Sequence, residues 1–381
     1  MAGSMAGGGS ERQTLLLLKH LDREAFRPLL YLTHRRGVLL EQVPPDVPVL
    51  SFDDAPAVPT PRWPGRVGAY HHRYLASLLK RFAIDVIYDR TFQMTMLAGP
   101  AARATRIPRV STIVSPPSLA VPLLEQRYQH WKRRRLAKAY RQASQVVAVS
   151  QAAADSAATY YGLPIDKILT LHNPIDVAET RRRGALPCRQ AVQAAAHDAV
   201  RLACIGRLSI EKGQSVLLQA MHLATQRTNL PAWKLFLVGE GPDGEQLARQ
   251  AAQHGLAARI QFTGHLANPL PLLAQSHALI LPSLFEGFPN VVLEAMSLGI
   301  PVIASDSGGT SELVKQGQLA SLVPAGNPDA LAAEIVKLLT GAEQAARAER
   351  RTQAQAAIEA DYAIEAFMPR LTAILQAAAE R

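Results

Sequence analysis

Phe285-Glu286-Gly287-Phe288-Pro289-Asn290-Val291-Val292-Leu293-Glu294 sets two carboxylates around a loop that turns directly into a helix. The apolar run Ala278-Leu279-Ile280-Leu281 before it reads as a buried parallel strand, ended by Pro282-Ser283. Gly287 and Pro289 keep the backbone out of helix, Asn290 is expected to cap the helix that follows, and Gly299-Ile300-Pro301 stops it. A strand, a tight loop and a helix in that order put the loop at the carboxyl edge of a parallel sheet, where open α/β sheets bind ligands. The unpaired N–H groups of a first helical turn favour a phosphate there.

Glu294 is expected in the first turn and Glu286 in the loop, so the two approach one cleft from separate backbone segments. A Glu beside a helix N-terminus can accept hydrogen bonds from a ribose diol, while a loop Glu can meet a sugar ring or a reacting centre. Either residue alone is also ordinary helix-start chemistry, because acidic residues favour first turns. The whole string with its flanks is what singles out a nucleotide-sugar site.

Those flanks run through Ala295 to Gly309 and Glu312-Leu313-Val314. Upstream lie Gly206-Arg207-Leu208, Glu211-Lys212-Gly213, Val238-Gly239-Glu240-Gly241-Pro242 and Phe262-Thr263-Gly264-His265. Together they cover most of residues 199 to 330 and resemble the retaining family 4 glycosyltransferases (glycosyl transferases group 1), whose signature is Glu, seven residues, Glu in the setting Glu-Gly-Phe-Pro. The resemblance implies a GT-B fold: two facing, doubly wound Rossmann-like α/β domains. It implies a nucleotide-diphosphate sugar as donor substrate, with no cofactor. Carried over residue by residue, it makes Glu286, Arg207 and Lys212 catalytic, with Glu286 near the transferred sugar and the two cations on the diphosphate. Glu294 would hold the ribose, Gly239, Gly241 and Gly264 would frame the base pocket, and Gly287, Phe288, Pro289 and Asn290 would complete the donor site.

The remainder of the chain bounds this reading. At 381 residues and 48% hydrophobic residues the chain is long enough for two well-filled domains. Its longest apolar runs fall far short of the roughly 20 residues of a membrane-spanning helix, and Met1 to Ser10 is Gly-rich and polar rather than a secretory signal. Cytoplasmic residence is the expectation. Cys188 and Cys204 offer neither a disulfide framework nor metal-ligand spacing. The net charge of +10 sits in the first half, where residues 1 to 180 hold 23 Lys and Arg against 14 Asp and Glu. Its densest piece is Arg127 to Arg141, interleaved with Trp131, Leu136 and Tyr140. That segment reads either as peripheral contact with an anionic membrane, at the inner face of the plasma membrane, or as a solvated helix face. No nucleic-acid motif accompanies the charge, so nucleic acid is not an expected partner.

Strand-helix alternation runs through both halves. The first half has strands at Pro28 to Leu32, Ala83 to Tyr88, Val110 to Val114 and Ser144 to Val149. The second has them at Arg201 to Ile205, Lys234 to Val238, Ile260 to Phe262, Ala278 to Leu281, Pro301 to Ala304 and Ala320 to Val323. The expected division is an acceptor-side domain over 1–176, an Arg-rich linker over 177–198, a nucleotide-sugar domain over 199–360, and a helix over 361–381. By the resemblance that helix returns to the first domain. Family members usually open with a strand that leads into a glycine loop. Here Gly7-Gly8-Gly9 has only Met1 to Ala6 before it, so the first strand is expected to be missing, with either the start assigned too late or the chain trimmed at this edge. Gly8 and Gly9 are the candidate phosphate or acceptor loop, because glycine lets backbone approach an anion closely. A Gly-rich tail looks the same.

Departure of a nucleoside diphosphate needs its growing negative charge stabilised, which fixed cations and helix N-termini can do. Arg207 and Lys212, five apart after one strand, suit two prongs of one turn. No Asp-x-Asp pair stands at a strand end, Asp53-Asp54 reads as a turn, and the scattered histidines, including a His71-His72 surface pair, lack ligand spacing. Metal-independent chemistry is therefore expected. Relatives often place a histidine where this chain has Val114-Ser115-Pro116-Pro117, and Asp89-Arg90-Thr91 is a substitute candidate for acceptor contact. The expected activity is retaining transfer of a sugar to a glycan acceptor, lipid-linked, in cell-surface polysaccharide or lipopolysaccharide synthesis. A nucleotide-sugar epimerase of the same fold and a non-catalytic nucleotide-sugar binding protein are the alternatives.

Overall fold

The computed structural model describes residues 1–56, 64–124, 128–188, 199–227 and 230–380. The chain divides into two compact units, Met1–Pro174 with Ile364–Arg381, and Ile175–Ala363. Val177–Gly184, expected as linker, is helical and belongs to the second unit. Asp176 caps it by accepting from the Glu179 amide, and Arg181 Nε donates to Ser297 O. Its three consecutive arginines suggested solvent, but only one face of a helix needs to be apolar. Residues 189–198, the rest of the expected linker, lie outside the described residues.

The first unit contains β1 (Leu30–Leu32), β2 (Val49–Ser51), β3 (Ile87–Arg90), β4 (Arg109–Ile113), β5 (Gln145–Ala148) and β6 (Ile168–Thr170). β1 pairs with β2, and β3-β4-β5-β6 form a second sheet, with every pairing parallel. In place of an opening strand there is a single parallel bridge from Ala2 to Leu32, while the Met1 amine donates to Tyr88 O at 2.8 Å. The Ile364–Ala379 helix packs in this unit. Phe367, Leu371 and Leu375 share a core cluster with Val110, Val147 and Leu171.

Between β3 and β4 lies a buried ion pair. Arg109 Nη1 is 3.1 Å from Asp89 Oδ2, with the two side chains 2% and 0% exposed. Ser111 Oγ donates to the same carboxylate oxygen at 2.8 Å, Thr95 Oγ1 donates to the other, and Arg109 Nη2 donates to Ala139 O. Asp89 is thus enclosed, and Arg90 is buried on the Tyr88 hydroxyl and Asn173 Oδ1. Neither is an exposed acceptor contact, which corrects that expectation.

The expected His71-His72 surface pair is also corrected. His71 stacks on Phe52 with ring centroids 3.8 Å apart and shares a 2.7 Å hydrogen bond with the Tyr31 hydroxyl. Burial first, then neighbouring His72 and His34, pushes its pKa down to about 4. A histidine depressed in the fold is bound neutral, so the unfolded chain takes up the extra proton. Its stabilising effect is whole above the unfolded value of about 6.5 and is lost as pH falls towards 4. His71→Gln is expected to show a shallower fall in Tm between pH 6.5 and 4 than the parent protein; an equal slope would mean that His71 titrates normally.

The second unit is a six-stranded parallel sheet. Its strands are β7 (Val200–Ile205), β8 (Trp233–Val238), β9 (Ile260–Gly264), β10 (Ala278–Leu281), β11 (Val302–Asp306) and β12 (Ser321–Pro324). Their order is β12-β11-β10-β7-β8-β9. β10 is buried throughout, as its uninterrupted apolar run requires for a strand covered on both faces. Leu202, Leu235 and Ile280 of the sheet share one core with Leu217, Leu218 and Met221 of the Gln214–Arg227 helix. Burying each such side chain contributes about 1.5–3 kcal/mol. The chain steps outward from β7 to β9, then returns to the other side for β10 to β12. The loops after β7 and β10 therefore diverge, leaving a crevice at the carboxyl edge between them.

Candidate active site

The crevice is bounded by the loop after β7, which carries Arg207 and Lys212, and the loop after β10, which carries Glu286. Gly213 lets the two loops meet. Its φ is +65°, and a Cβ there would stand 2.0 Å from Pro282 O. Across this contact Lys212 Nζ donates to Glu286 Oε1 at 2.7 Å, with side-chain exposures of 28% and 11%. Ser283 Oγ donates to the same carboxylate oxygen at 2.7 Å. Burial pulls the Lys212 pKa down, but the Glu286 carboxylate, then Glu211, outweighs it and holds the ammonium above its ordinary range. Lys212 stays charged at neutral pH.

The Glu286 backbone is fixed by neighbouring β11. Its amide donates to Ser307 O at 2.8 Å, and Glu286 and Gly308 form a parallel bridge. Gly287, Phe288 and Pro289 are buried. The Phe288 ring lies 5.5 Å from that of Tyr362 and anchors the loop in the core of its own unit. Pro289, rather than Asn290, occupies the N-cap, and the helix is Asn290–Ser297. Proline imposes the extended backbone of that position without a side-chain cap. Glu294 consequently stands at the fifth helical position, half-buried in the second turn and about 6 Å along the axis from Asn290, not in the first turn.

On the other side of β7 the loops are knitted by glycines. Gly239 has φ +137°, its amide donates to Gly264 O at 2.9 Å, and a Cβ on it would stand 2.0 Å from Gly206 O. A Cβ on Gly241 would stand 2.1 Å from Leu208 O, and His265 N donates to Glu240 Oε1 at 3.2 Å. Side chains are excluded from these strand ends, which leaves backbone to line the pocket. Arg207 is exposed, and its guanidinium has no partner among the described residues. Cys204, below this loop, is a core thiol pushed up to about 12 by burial.

Structure thus brings Glu286 and Lys212 into contact and adds Ser283, which sequence reasoning passed over. The signal for it was a Ser three residues before the Glu, a spacing at which a hydroxyl reaches back to a carboxylate. In the first unit the Gly9–His20 helix begins at the expected glycine loop. The Gly7 and Gly8 amides donate to Glu11 Oε2 at 2.8 and 2.7 Å, and Ser4 Oγ donates to its other oxygen at 2.6 Å. The chain's own carboxylate sits where an anion would, so a phosphate or acceptor group at Gly8 and Gly9 would have to displace it.

Residues 199–341 match the family model for glycosyl transferases group 1, and residues 7–179 match that for glycosyltransferase family 4. The chain belongs to the group 1 glycosyltransferases. Its fold is GT-B: the crystal structure of Anabaena HepE in complex with UDP superposes with a TM-score of 0.78 at 24% identity, covering 99% of this chain and 98% of that one. The glycogen synthase of Mycobacterium tuberculosis is 31% identical over 216 residues, 56% of this chain and 49% of that protein. The lipopolysaccharide 1,6-galactosyltransferase of Salmonella typhimurium is 32% identical over 142 residues, 36% and 39% of the two chains. This glycosyltransferase therefore spans about half the length, or less, of those two relatives.

Proposed function

We propose that this chain transfers a hexosyl group, with retention of anomeric configuration, from a nucleoside diphosphate sugar to a glycan acceptor. The observation that carries the reading is the Lys212–Glu286–Ser283 contact at the switch point of the second sheet. Lys212 is positioned to exchange Glu286 for the diphosphate of an incoming donor, joined by Arg207. Glu286, released from the ammonium but still held by Ser283 Oγ, is then an acceptor for hydroxyls of the transferred sugar. As the anomeric C–O bond to the diphosphate breaks, its electron pair passes to the diphosphate, where two cations and backbone N–H groups stabilise it; the acceptor hydroxyl oxygen bonds to the anomeric carbon on the same face and its proton passes to the departing diphosphate oxygen. These charges belong to the protein itself, which supports a metal-independent reaction. HepE, solved with UDP-glucose, makes that sugar nucleotide the first donor to try.

The acceptor is proposed to be lipid-linked, as an intermediate of cell-surface polysaccharide synthesis. No helix among the described residues is long and apolar enough to cross a membrane. The Gln129–Arg141 helix carries Lys132, Arg133, Arg134, Arg135 and Lys138 beside exposed Trp131 and Tyr128, a pattern suited to anionic headgroups. Arg127 lies outside the described residues. Sedimentation with phosphatidylglycerol vesicles but not with phosphatidylcholine vesicles is expected, and equal recovery from both would remove the membrane reading.

Donor identity is tested by thermal shift with uridine, guanosine and adenosine diphosphate sugars, since a specific ligand raises Tm. Transfer predicts free nucleoside diphosphate only when an acceptor is supplied; an epimerised donor without its release would replace the reading. Glu286→Ala is expected to lower turnover about a hundredfold, the size of losing one transition-state contact. Glu294→Ala is expected to raise the donor KM about tenfold, with kcat nearly kept. Initial rates of nucleotide release separate the two, and reversed effects would exchange their roles.

A further inference from the structure

We propose that the second unit has an anion site at the edge of its sheet opposite the active-site loops, built for a phosphate group by Arg347, Arg350 and Arg351. A shallow groove with a cavity volume of about 20 Å³, partly open to solvent, lies against the first residues of β11 and β12, where Val302 and Ser321 line it. Parallel strands put all their carboxyl ends at the other edge, so this groove is separate from the Lys212–Glu286 crevice. One wall is apolar, with Met296 and Leu338, and the facing wall carries the three arginines of the Gln344–Ala357 helix. Their spacing of three and four residues sets them on one helix face.

Charge and hydrogen bonding both leave this face unsatisfied. Lys337 Nζ lies 2.8 Å from Glu334 and 3.5 Å from Glu343, and Arg350 Nη2 lies 3.3 Å from Glu343. Glu334 and Glu343 are thus taken up by Lys337 and Arg350. The guanidiniums of Arg347 and Arg351 make no hydrogen bond or ion pair among the described residues, and Arg347 Nη2 is buried as well as unpartnered. A buried guanidinium donor without an acceptor is costly, and the planar forks of arginine match the oxygens of phosphate. The ligand is a phosphate group, either the free ion or a small ester whose body rests on the apolar wall.

The test is isothermal titration at fixed ionic strength with inorganic phosphate and with phenyl phosphate. It uses the Arg207→Met/Lys212→Met protein, which silences the donor loop, and the same protein further changed by Arg347→Met or by Arg351→Met. One saturable site is expected in the Arg207→Met/Lys212→Met protein, weakened at least tenfold by either added change. Tighter binding of the inorganic ion would identify free phosphate as the ligand, and tighter binding of phenyl phosphate an ester. Absence of a saturable site, or an affinity left unchanged by the arginine substitutions, overturns the proposal. Arg351 is exposed, so its substitution keeps the test valid should Arg347→Met fail to fold. Because the donor loop is already disabled in every protein compared, failure here leaves the donor reading standing.

Discussion

Replacing Arg207 and Lys212 together by methionine is expected to weaken UDP binding about a thousandfold while leaving the protein folded. Each cation facing a phosphate oxygen forms a charge-assisted hydrogen bond, and such bonds contribute about 1.5–3 kcal/mol. Two of them amount to roughly 4 kcal/mol, or three factors of ten in Kd. The two residues are unequal. Arg207 is exposed and without a partner among the described residues, so it loses little besides solvent when it meets the ligand. Lys212 must first give up Glu286 at 2.7 Å, so its net contribution is the smaller one. The single variant Arg207→Met should accordingly be the weaker binder of the two singles. Titration calorimetry with UDP checks all three proteins, and a double variant that binds UDP as the parent does would remove both residues from the diphosphate site.

The donor half of this molecule was legible because its chemistry and its fold share one stretch of chain. β10 is a run of four apolar residues, all buried, and the loop it feeds carries Gly287, Pro289 and Glu286. Gly213 after β7 and Gly239 and Gly241 after β8 were equally readable, since backbone carbonyls occupy the places where their side chains would be. What sequence could not supply was who touches whom: that Glu286 holds Lys212 across the switch point, or that Phe288 turns into the core. In the first unit the signals conflict. The apolar Ala83-Ile84 suggested the start of a strand, but Ile84 N donates to Leu79 O and closes a helix end. The actual strand includes Asp89 and Arg90, whose charges hide it because burial here depends on partners distant in sequence. β2 and β6 are only three residues long, too short for alternation to show.

Substituting Asp89 by alanine is expected to destabilise the protein by about 3–5 kcal/mol, the cost of leaving a buried charge uncompensated. Arg109 would keep its contacts with Ser111 Oγ and Ala139 O, but those acceptors are neutral. At 2% exposure its guanidinium has no route to water. Removing the charge together with its partner has a different outcome. The double variant Asp89→Leu/Arg109→Met replaces the pair by apolar side chains of comparable volume, and buried ion pairs treated in this way commonly recover most of the lost stability. Urea unfolding of parent, single and double variants measures the coupling directly. A single variant within about 0.5 kcal/mol of the parent would show that the pair is hydrated rather than buried. Because Asp89 and Arg109 join β3 to β4, strands that end at the first unit's carboxyl edge, the single variant should also loosen the Arg90–Asn173 contact there. Amide hydrogen exchange over Ile87–Arg90 is therefore expected to accelerate in Asp89→Ala and to stay slow in the double variant.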